Sequence, residues 1–260
     1  MTRVAWVPPR PQSIGEVLDT MFRIFLGTVV KSLPYGLAAM LVVQLPNLYD
    51  LARGVPLRGF GANDAVWWLL FAAGTLTSLL CWSAIMLRQS AMLRGEALSA
   101  RRELAQTLRL LPGLAALFVL IALAVGLGTA ALVLPGLYLA VALTLAWPAL
   151  VLEGEGPIEA MRGSLRLTRG NWGHTAAVLL VSFLIVLAFV LAVTIAAVAV
   201  PLAGAADVAL ATALAAAVFI AMGAIVAPFY GALLIALYGN LQVRRNGVDL
   251  ERRIAELPKA

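Results

Sequence analysis

Apolar residues gather into six long stretches that are separated by short polar segments. A helix needs about 20 residues to cross the hydrocarbon core of a bilayer, and five of the six stretches meet that length easily. Backbone groups inside lipid must find hydrogen-bond partners within the chain, so runs of this length are predicted to be helices. The predicted spans cover residues 28–48, 66–87, 112–134, 137–152, 175–200 and 208–238.

The fourth stretch differs from the others. Residues 137–152 are short for a span, contain Pro148 and follow a Pro135-Gly136 turn. The pattern leaves two interpretations open. The segment is either a full span with little tilt that begins below the membrane surface, or it is partly re-entrant.

Amphipathic segments precede the odd-numbered spans. In the first, Ser13 and Glu16 have the spacing of a capping box, and the residues that follow place one apolar face on a helix. Similar segments occupy residues 96–111 and the stretch that begins at Pro157. We predict three units, each an interfacial helix followed by a hairpin of two spans. The alternative is that these segments are cytoplasmic extensions of the spans.

The distribution of basic residues indicates the orientation. Of 19 Lys and Arg residues, Arg53 and Arg58 alone fall in segments that six spans place opposite the two termini. Short loops rich in Lys and Arg remain in the cytoplasm. We therefore predict that both termini are cytoplasmic. The excess of Arg over Lys and the abundance of Ala favour a bacterial source, which predicts a multi-pass protein of the inner membrane.

The amino-acid composition supports the assignment to a membrane, and the chain divides into three predicted regions. The chain is 62% hydrophobic and 12% charged, outside the range of soluble domains. Its net charge of +6 would suggest nucleic acid in a soluble protein, but most basic residues flank the spans, so no nucleic-acid partner is predicted. We predict a disordered cytoplasmic tail at 1–12, one transmembrane domain at 13–243 and an amphipathic cytoplasmic tail at 244–260. Gly247 is predicted to end the sixth helix.

Few residues could carry chemistry. Cys81 is the single cysteine and His174 the single histidine, which excludes a disulfide framework and a multi-histidine metal site within this chain. As a general base, His174 would need a nucleophile and an orienting carboxylate, and no motif supplies them. No charged residue lies deep in a predicted span, which argues against proton-coupled transport and voltage sensing. We predict no cofactor and no enzymatic activity.

One group of residues suggests a ligand. Arg162, Arg166 and Arg169 lie at i, i+4 and i+7 beside the apolar stripe of the third amphipathic segment. Three guanidinium groups at headgroup depth could bind a lipid phosphate. Nearby glutamates, Glu153, Glu155 and Glu159, would partly neutralise them. The alternative is a solvated basic face that serves only to orient the protein.

Three sequence motifs resemble a known family. They are Arg10-Pro11-Gln12-Ser13-Ile14-Gly15-Glu16-Val17-Leu18-Asp19, then Leu134-Pro135-Gly136-Leu137-Tyr138 with Pro148, Glu153 and Ser164-Leu165-Arg166-Leu167-Thr168-Arg169-Gly170-Asn171-Trp172, and finally Val243-Arg244-Arg245-Asn246-Gly247-Val248-Asp249-Leu250-Glu251. Their order and spacing resemble the membrane domain of the glycerophosphoryl diester phosphodiesterase family and related six-span bacterial inner-membrane proteins.

The resemblance does not imply enzymatic activity here. In relatives with phosphodiesterase activity, catalysis belongs to a separate barrel domain that uses His, carboxylates and a metal, and this chain has no room for it. The family also often carries a Tyr-Asp-Leu-Arg run where this chain reads Tyr238-Gly239-Asn240-Leu241-Gln242. Any role that depends on that Asp and Arg is therefore in doubt for this protein.

Two functional hypotheses follow. The first is a non-enzymatic membrane scaffold that associates with lipids, with anionic headgroups among them, or docks a partner membrane protein or enzyme. The second is a transporter or permease for a neutral or lipid-like solute, which the Pro-interrupted fourth span favours because broken helices often form binding sites. The sequence does not indicate an oligomeric state.

Overall fold

A computed structural model describes residues 8–54, 63–96, 99–202 and 208–255 of the chain. Every regular element within these ranges is an α-helix. The helices are α1 (Ile14–Val43), α2 (Leu45–Ala52), α3 (Ala65–Leu93), α4 (Ala100–Ala131), α5 (Val133–Leu143), α6 (Ala146–Glu153), α7 (Pro157–Thr168), α8 (Trp172–Leu202) and α9 (Val208–Ala255).

Six helical stretches are long and apolar enough to cross a membrane, which confirms the predicted all-α, multi-pass architecture. Four of them lie in α1, α3, α4 and α8, and a fifth is the part of α9 at Ala216–Arg245. The remaining stretch, Val133–Glu153, combines α5 and α6, which a two-residue turn at Thr144 and Leu145 separates. Span 4 is thus longer than residues 137–152, and it is interrupted.

The amphipathic segments before spans 1 and 3 are not separate helices. The predicted capping box of Ser13 and Glu16 is present and starts α1, which then continues without a break to Val43. Its buried residues form one unbroken stripe, namely Val17, Met21, Ile24, Thr28, Ser32, Gly36 and Ala39. The apolar face of the amphipathic segment continues directly into the buried face of the span, so the segment and the span form one helix. Likewise α4 includes the second segment from Ala100 onward, whereas α7 is a helix of its own.

The centre of the bundle is the second half of α9. Residues 231–241 are all buried, and the surrounding core comes from α1, α3, α4, α6, α7 and α8. Two aromatic rings of α1, Phe22 and Phe25, meet Phe229 edge-on with centroids 5.8 and 5.7 Å away. The predicted helix end at Gly247 is wrong, because α9 continues to Ala255. A helical glycine costs only about 1 kcal/mol, which a long helix can tolerate.

Residues 8–12 of the predicted disordered tail are part of the described structure. The backbone N–H of Gln12 donates to the Asn240 side chain over 2.8 Å, and Arg244 donates to the carbonyl of Gln12. Arg10 pairs with Glu16 at the surface. The segment just before α1 is therefore held against the far part of α9. Residues 1–7 and 256–260 lie outside the described residues.

A close contact joins α1 to α9 where Pro228 interrupts the hydrogen-bond ladder of α9. A proline at 228 leaves the carbonyl of Ala224 without its helical N–H partner. That carbonyl faces Gly36, where a Cβ atom would lie 2.3 Å from the oxygen. Glycine at position 36 is thus required for the two backbones to approach.

One polar cluster ties α1, α3 and α4 together. Arg88 donates to both carboxylate oxygens of Glu103, with Nε to Oε1 at 2.9 Å and Nη2 to Oε2 at 2.7 Å. The Tyr35 hydroxyl donates to Glu103 Oε2 over 2.7 Å, and the Arg88 guanidinium lies over the Tyr35 ring. Arg88 also donates to the carbonyl of Lys31. The Glu103 side chain is 1% exposed and the Arg88 side chain 18%, so a buried carboxylate meets a partly buried guanidinium.

A second cluster joins α2 to the start of α3. Asp64 caps α3 by accepting from the Trp67 backbone N–H over 3.0 Å, and it pairs with Arg53 and Tyr49. Hydrogen bonding from Trp67, with Tyr49 and Arg53, lowers the pKa of Asp64. The Trp67 indole donates to the buried Asp50 over 3.2 Å. Arg53 is therefore paired with a carboxylate. It is one of the two basic residues in the segments that six spans would place opposite the termini.

We expect Gly36→Ala to destabilise the protein by about 1–3 kcal/mol, because the added methyl meets a backbone oxygen that cannot move freely. Thermal unfolding in detergent, followed by circular dichroism, measures the change. Gly27→Ala is the matched control, since a Cβ atom at Gly27 of the same helix meets nothing within 4 Å. Equal destabilisation by both changes would contradict the proposed α1–α9 contact.

We expect Glu103→Gln to destabilise the protein by about 3 kcal/mol, because it leaves the Arg88 charge without its buried counter-ion. Glu96→Gln is the control, because its partner Arg94 lies at the surface and exposed pairs contribute at most about 1 kcal/mol. The measurement is denaturant unfolding in the same detergent. Similar midpoints for the two variants would show that the buried pair contributes no more than the surface one.

Candidate functional site

Helix α7 carries the three arginines that the sequence singles out. Gly156 precedes the helix and Pro157 occupies its first turn, as predicted. Arg162, Arg166 and Arg169 are all exposed. The helix ends at Thr168, so Arg169 is the C-cap residue and lies past the last turn.

The structure brings two of the three arginines into one surface groove. Arg162 and Arg166 line a groove of about 460 Å³ together with Glu159 and Leu165. Arg169 does not line this groove. In the part of the chain that the structure describes, none of the three arginines has a carboxylate oxygen within 4 Å.

The neighbouring glutamates have other contacts. Glu153 accepts a hydrogen bond from Gln242 Nε2 over 2.6 Å. Burial raises the pKa of Glu155, and the Glu153 carboxylate raises it further, while the Arg166 charge acts in the opposite direction. The predicted neutralisation of the arginines by close ion pairs is therefore absent among the described residues. Arg166 Nε donates to the Arg162 carbonyl over 3.3 Å. The remaining nitrogens of the two guanidinium groups are available to a ligand in a groove that Glu159 also lines.

The opposite face of α7 contacts the interruption in span 4. The Leu145 N–H, in the turn between α5 and α6, donates to Ser164 Oγ over 3.2 Å. Ser164 Oγ donates to the carbonyl of Ala142 over 2.6 Å, and the Thr168 hydroxyl lies 3.0 Å from the same oxygen. Ser164 and Thr168 are 0% and 1% exposed. They replace hydrogen bonds that the helix loses where it breaks.

A cavity of about 770 Å³ lies beside this interruption. One wall comes from α3, with Leu79 and Trp82, and the other from α4 and α5, with Phe118, Ile121 and Leu143. The lining is almost entirely apolar. Since these helices are membrane-spanning by length and composition, the cavity opens among spans rather than on a water-facing loop.

The break and the cavity share residues. Thr144, in the turn itself, and Trp147, in the first turn of α6, both line the cavity. The Thr144 hydroxyl donates to the carbonyl of Ala140 over 2.7 Å, so it is satisfied within its own segment. α7 therefore connects a basic outer groove with the wall of an apolar cavity.

Comparison with known families assigns the chain to a group. A family model described as a domain of unknown function, DUF7847, matches residues 74–241, more than half of the chain. The chain belongs to the DUF7847 family. No curated protein and no solved structure matches the chain.

The DUF7847 region contains almost all of the features described above. It begins within α3 and ends at Leu241, so it includes α7, the interruption in span 4 and nearly the whole cavity lining. Helix α1, which packs against both α3 and α9, lies outside the matched region. The candidate site is therefore built mainly from the part of the chain that defines the family.

The structure also places the two residues of this DUF7847 protein that were considered for chemistry in the sequence. Cys81 is buried in α3. The Nε2 atom of His174 lies 3.0 Å from the side-chain amide nitrogen of Asn240. The amide oxygen of Asn240 also accepts a hydrogen bond from the Gln12 backbone N–H. Within the described ranges, no three His, Cys, Asp or Glu residues lie close enough together to hold a metal ion.

Sequence reasoning did not assign a role to Ser164 or Thr168. Both stand in the central motif, four residues apart and on the side of α7 away from the exposed arginines. That spacing is the available signal, because two hydroxyl residues at i and i+4 share one helix face. What the spacing alone does not reveal is the partner, which is a backbone break about 20 residues earlier in the chain.

We expect the double variant Ser164→Ala, Thr168→Val to destabilise this DUF7847 protein by about 2–4 kcal/mol. The change leaves the Leu145 N–H and the Ala142 carbonyl buried without these partners, at a cost of about 1–3 kcal/mol for each group. Hydrogen exchange at the Leu145 amide should accelerate. Thr77→Val is the control, because the exposed Thr77 hydroxyl donates to Ala73 of its own helix. Unchanged exchange at Leu145 would refute the capping role.

Proposed function

We propose that this protein is a lipid-associated scaffold of the bacterial inner membrane that works without catalytic chemistry and docks a partner membrane protein or enzyme. The observation that carries the proposal is the groove of Arg162 and Arg166 on α7, whose guanidinium groups have no carboxylate partner within 4 Å in the described chain. Guanidinium groups form strong, charge-assisted hydrogen bonds with phosphate oxygens. A lipid phosphate is the ligand that fits this surface.

The residues around the groove support the same ligand. Ile158 is 51% exposed and Leu165 is 38% exposed on the same helix as the arginines. A surface helix with exposed aliphatic and basic side chains suits the membrane interface, where the aliphatic groups enter the acyl region and arginines reach the phosphates. Arg169, just past the helix end, adds a third positive charge nearby.

The packing of the core favours a scaffold. Residues 231–241 of α9 are buried on all sides, so the centre of the bundle is filled by side chains. The cavity beside span 4 is lined by apolar groups and suits acyl chains better than a hydrated solute. With one His and one Cys in the chain, we propose no enzymatic role.

We place both termini in the cytoplasm as part of this proposal. The basic residues flanking the spans support it, since Arg53 and Arg58 alone fall on the other side. Arg53 is neutralised by Asp64, which further reduces the positive charge there. Arg58 lies outside the described residues.

The resemblance to the glycerophosphoryl diester phosphodiesterase membrane-domain family supports a docking role. The central motif that carries this resemblance, residues 134–172 of this chain, falls inside the region that matches DUF7847. The partner that we propose on this basis is a separate enzyme that acts on lipid-derived substrates. In this chain Asn240 and Gln242 stand in the segment where that family often has Asp and Arg, and both make hydrogen bonds inside the fold.

A second candidate function is a permease for a lipid-like solute. One observation favours it, namely that the interruption at Thr144 lines the cavity. Interrupted helices form the binding sites of many transporters. Release of a labelled lipid-like solute from sealed vesicles that contain the protein would favour this function over the scaffold.

We expect the triple variant Arg162→Ala, Arg166→Ala, Arg169→Ala to bind less anionic lipid than the unchanged protein, by a factor of about ten or more. Each basic residue near an anionic surface contributes about 1 kcal/mol to lipid binding. The protein is purified in native-lipid particles, and the bound phosphatidylglycerol and phosphatidylethanolamine are measured by mass spectrometry. The same preparation identifies proteins that purify with it.

The control is Arg101→Ala, Arg102→Ala, Arg109→Ala, which removes three exposed arginines of α4 and the same total charge. If both triple variants lose anionic lipid equally, the retention reflects general charge and the α7 site is refuted. Unchanged retention in the α7 variant would also refute it.

A further inference from the structure

The connection between spans 3 and 4 is a single residue. Helix α4 ends at Ala131, Leu132 is extended with φ −161° and ψ 144°, and α5 begins at Val133. The two helices pack closely near this apex. A Cβ atom at Gly136 would lie 2.0 Å from the Thr129 hydroxyl oxygen and 2.6 Å from its backbone nitrogen. The hairpin is therefore sharply folded and has no loop to reach into water.

The apex of this hairpin is apolar and uncovered. Leu132, Val133 and Leu134 are 69, 70 and 76% exposed, and Leu137 is 54% exposed. No charged residue occurs anywhere in residues 110–152. Other connections between spans on the same side contain charged residues, such as Asp50, Arg53 and Asp64 in the first and Asp207 in the last. The apex alone lacks the groups that would hold it in water.

We propose that this apex stays below the headgroups of the opposite leaflet and contacts acyl chains and glycerol esters instead of entering the aqueous phase. The length of α4 agrees with this placement. From Leu110 to Ala131, α4 measures about 33 Å at 1.5 Å per residue, against a hydrocarbon core of about 30 Å. With the charged Arg109 at one boundary, α4 reaches the far edge of the core and not beyond.

The backbone at the apex suits this position. The Leu132 N–H donates to the Gly128 carbonyl over 3.1 Å, and the Gly136 N–H donates to the Leu132 carbonyl over 3.5 Å. Pro135 has no N–H to satisfy. Carbonyl groups that remain free at the end of α4 need donors, which the water that penetrates to the ester level provides. A deeper position would leave them unpaired.

Thiol accessibility tests the placement. Leu132→Cys and Leu134→Cys are made in a Cys81→Ala background, and the purified proteins are reconstituted in phosphatidylglycerol and phosphatidylethanolamine vesicles opened by freezing and thawing. A charged maleimide is present during freezing and thawing and therefore reaches both aqueous faces, so the result does not depend on orientation. We expect both cysteines to react at least about tenfold more slowly than Ala52→Cys, a control at the exposed end of α2 on the same side.

Nitroxide labels at the same positions provide the second measurement. A label at position 132 or 134 should relax faster with membrane-soluble oxygen than with a water-soluble nickel chelate, and a label at position 52 should show the opposite order. Equal maleimide rates at 132 and 52, or preferential relaxation of the 132 label by nickel, would overturn the proposal. Because no partner protein is present in the vesicles, protection cannot come from one.

Discussion

A helix that breaks inside a membrane-spanning segment exposes carbonyl and amide groups that lipid cannot pair, and span 4 breaks at Thr144 and Leu145. The rest of this region is arranged to resolve that problem. Ser164 and Thr168 of α7 pair the free backbone groups of Ala142 and Leu145, which requires α7 to lie directly against the break. Because one face of α7 is committed to this contact, its arginines are directed to the surface. The basic groove and the interrupted span are therefore two results of one constraint.

The charged residues that remain inside the bundle follow a related rule. Glu103 is almost fully buried and is tolerated because Arg88 and Tyr35 satisfy both carboxylate oxygens. Burying a charge without such partners would cost several kcal/mol. The buried charge of Glu103 is thus held at a paired site between α1, α3 and α4. The cavity with apolar walls shares no lining residue with this ion pair.

Much of the architecture could be predicted from the sequence because it depends on local signals. The six spans follow from hydrophobicity alone, and the capping box at Ser13 and Glu16 and the start of α7 at Gly156 and Pro157 depend on neighbouring residues. The course of α1 was harder to predict. Its buried face contains Thr28, Ser32 and Gly36, whereas Leu26 and Val30 are 69 and 80% exposed. In a membrane, small and hydroxyl residues mark the packed side of a helix, so an apolar stripe is a poor guide to the core. The pairing of Arg88 with Glu103 and of Ser164 with Ala142 depends on tertiary packing, which no local pattern specifies.

The contact between the first and last long helices has a consequence for how the protein is made. Helix α1 packs along α9 through Gly36 and Ala224 and through the rings of Phe22, Phe25 and Phe229, and Gln12 is held by Asn240. These partners are about 200 residues apart in the chain, so α1 leaves the ribosome long before the surface it binds exists. During synthesis the small and hydroxyl residues of its inner face must be shielded by lipid or by an insertion factor. Assembly of the bundle therefore finishes only when the sixth span arrives, and a chain cut short before α9 would leave its first helix without its main partner.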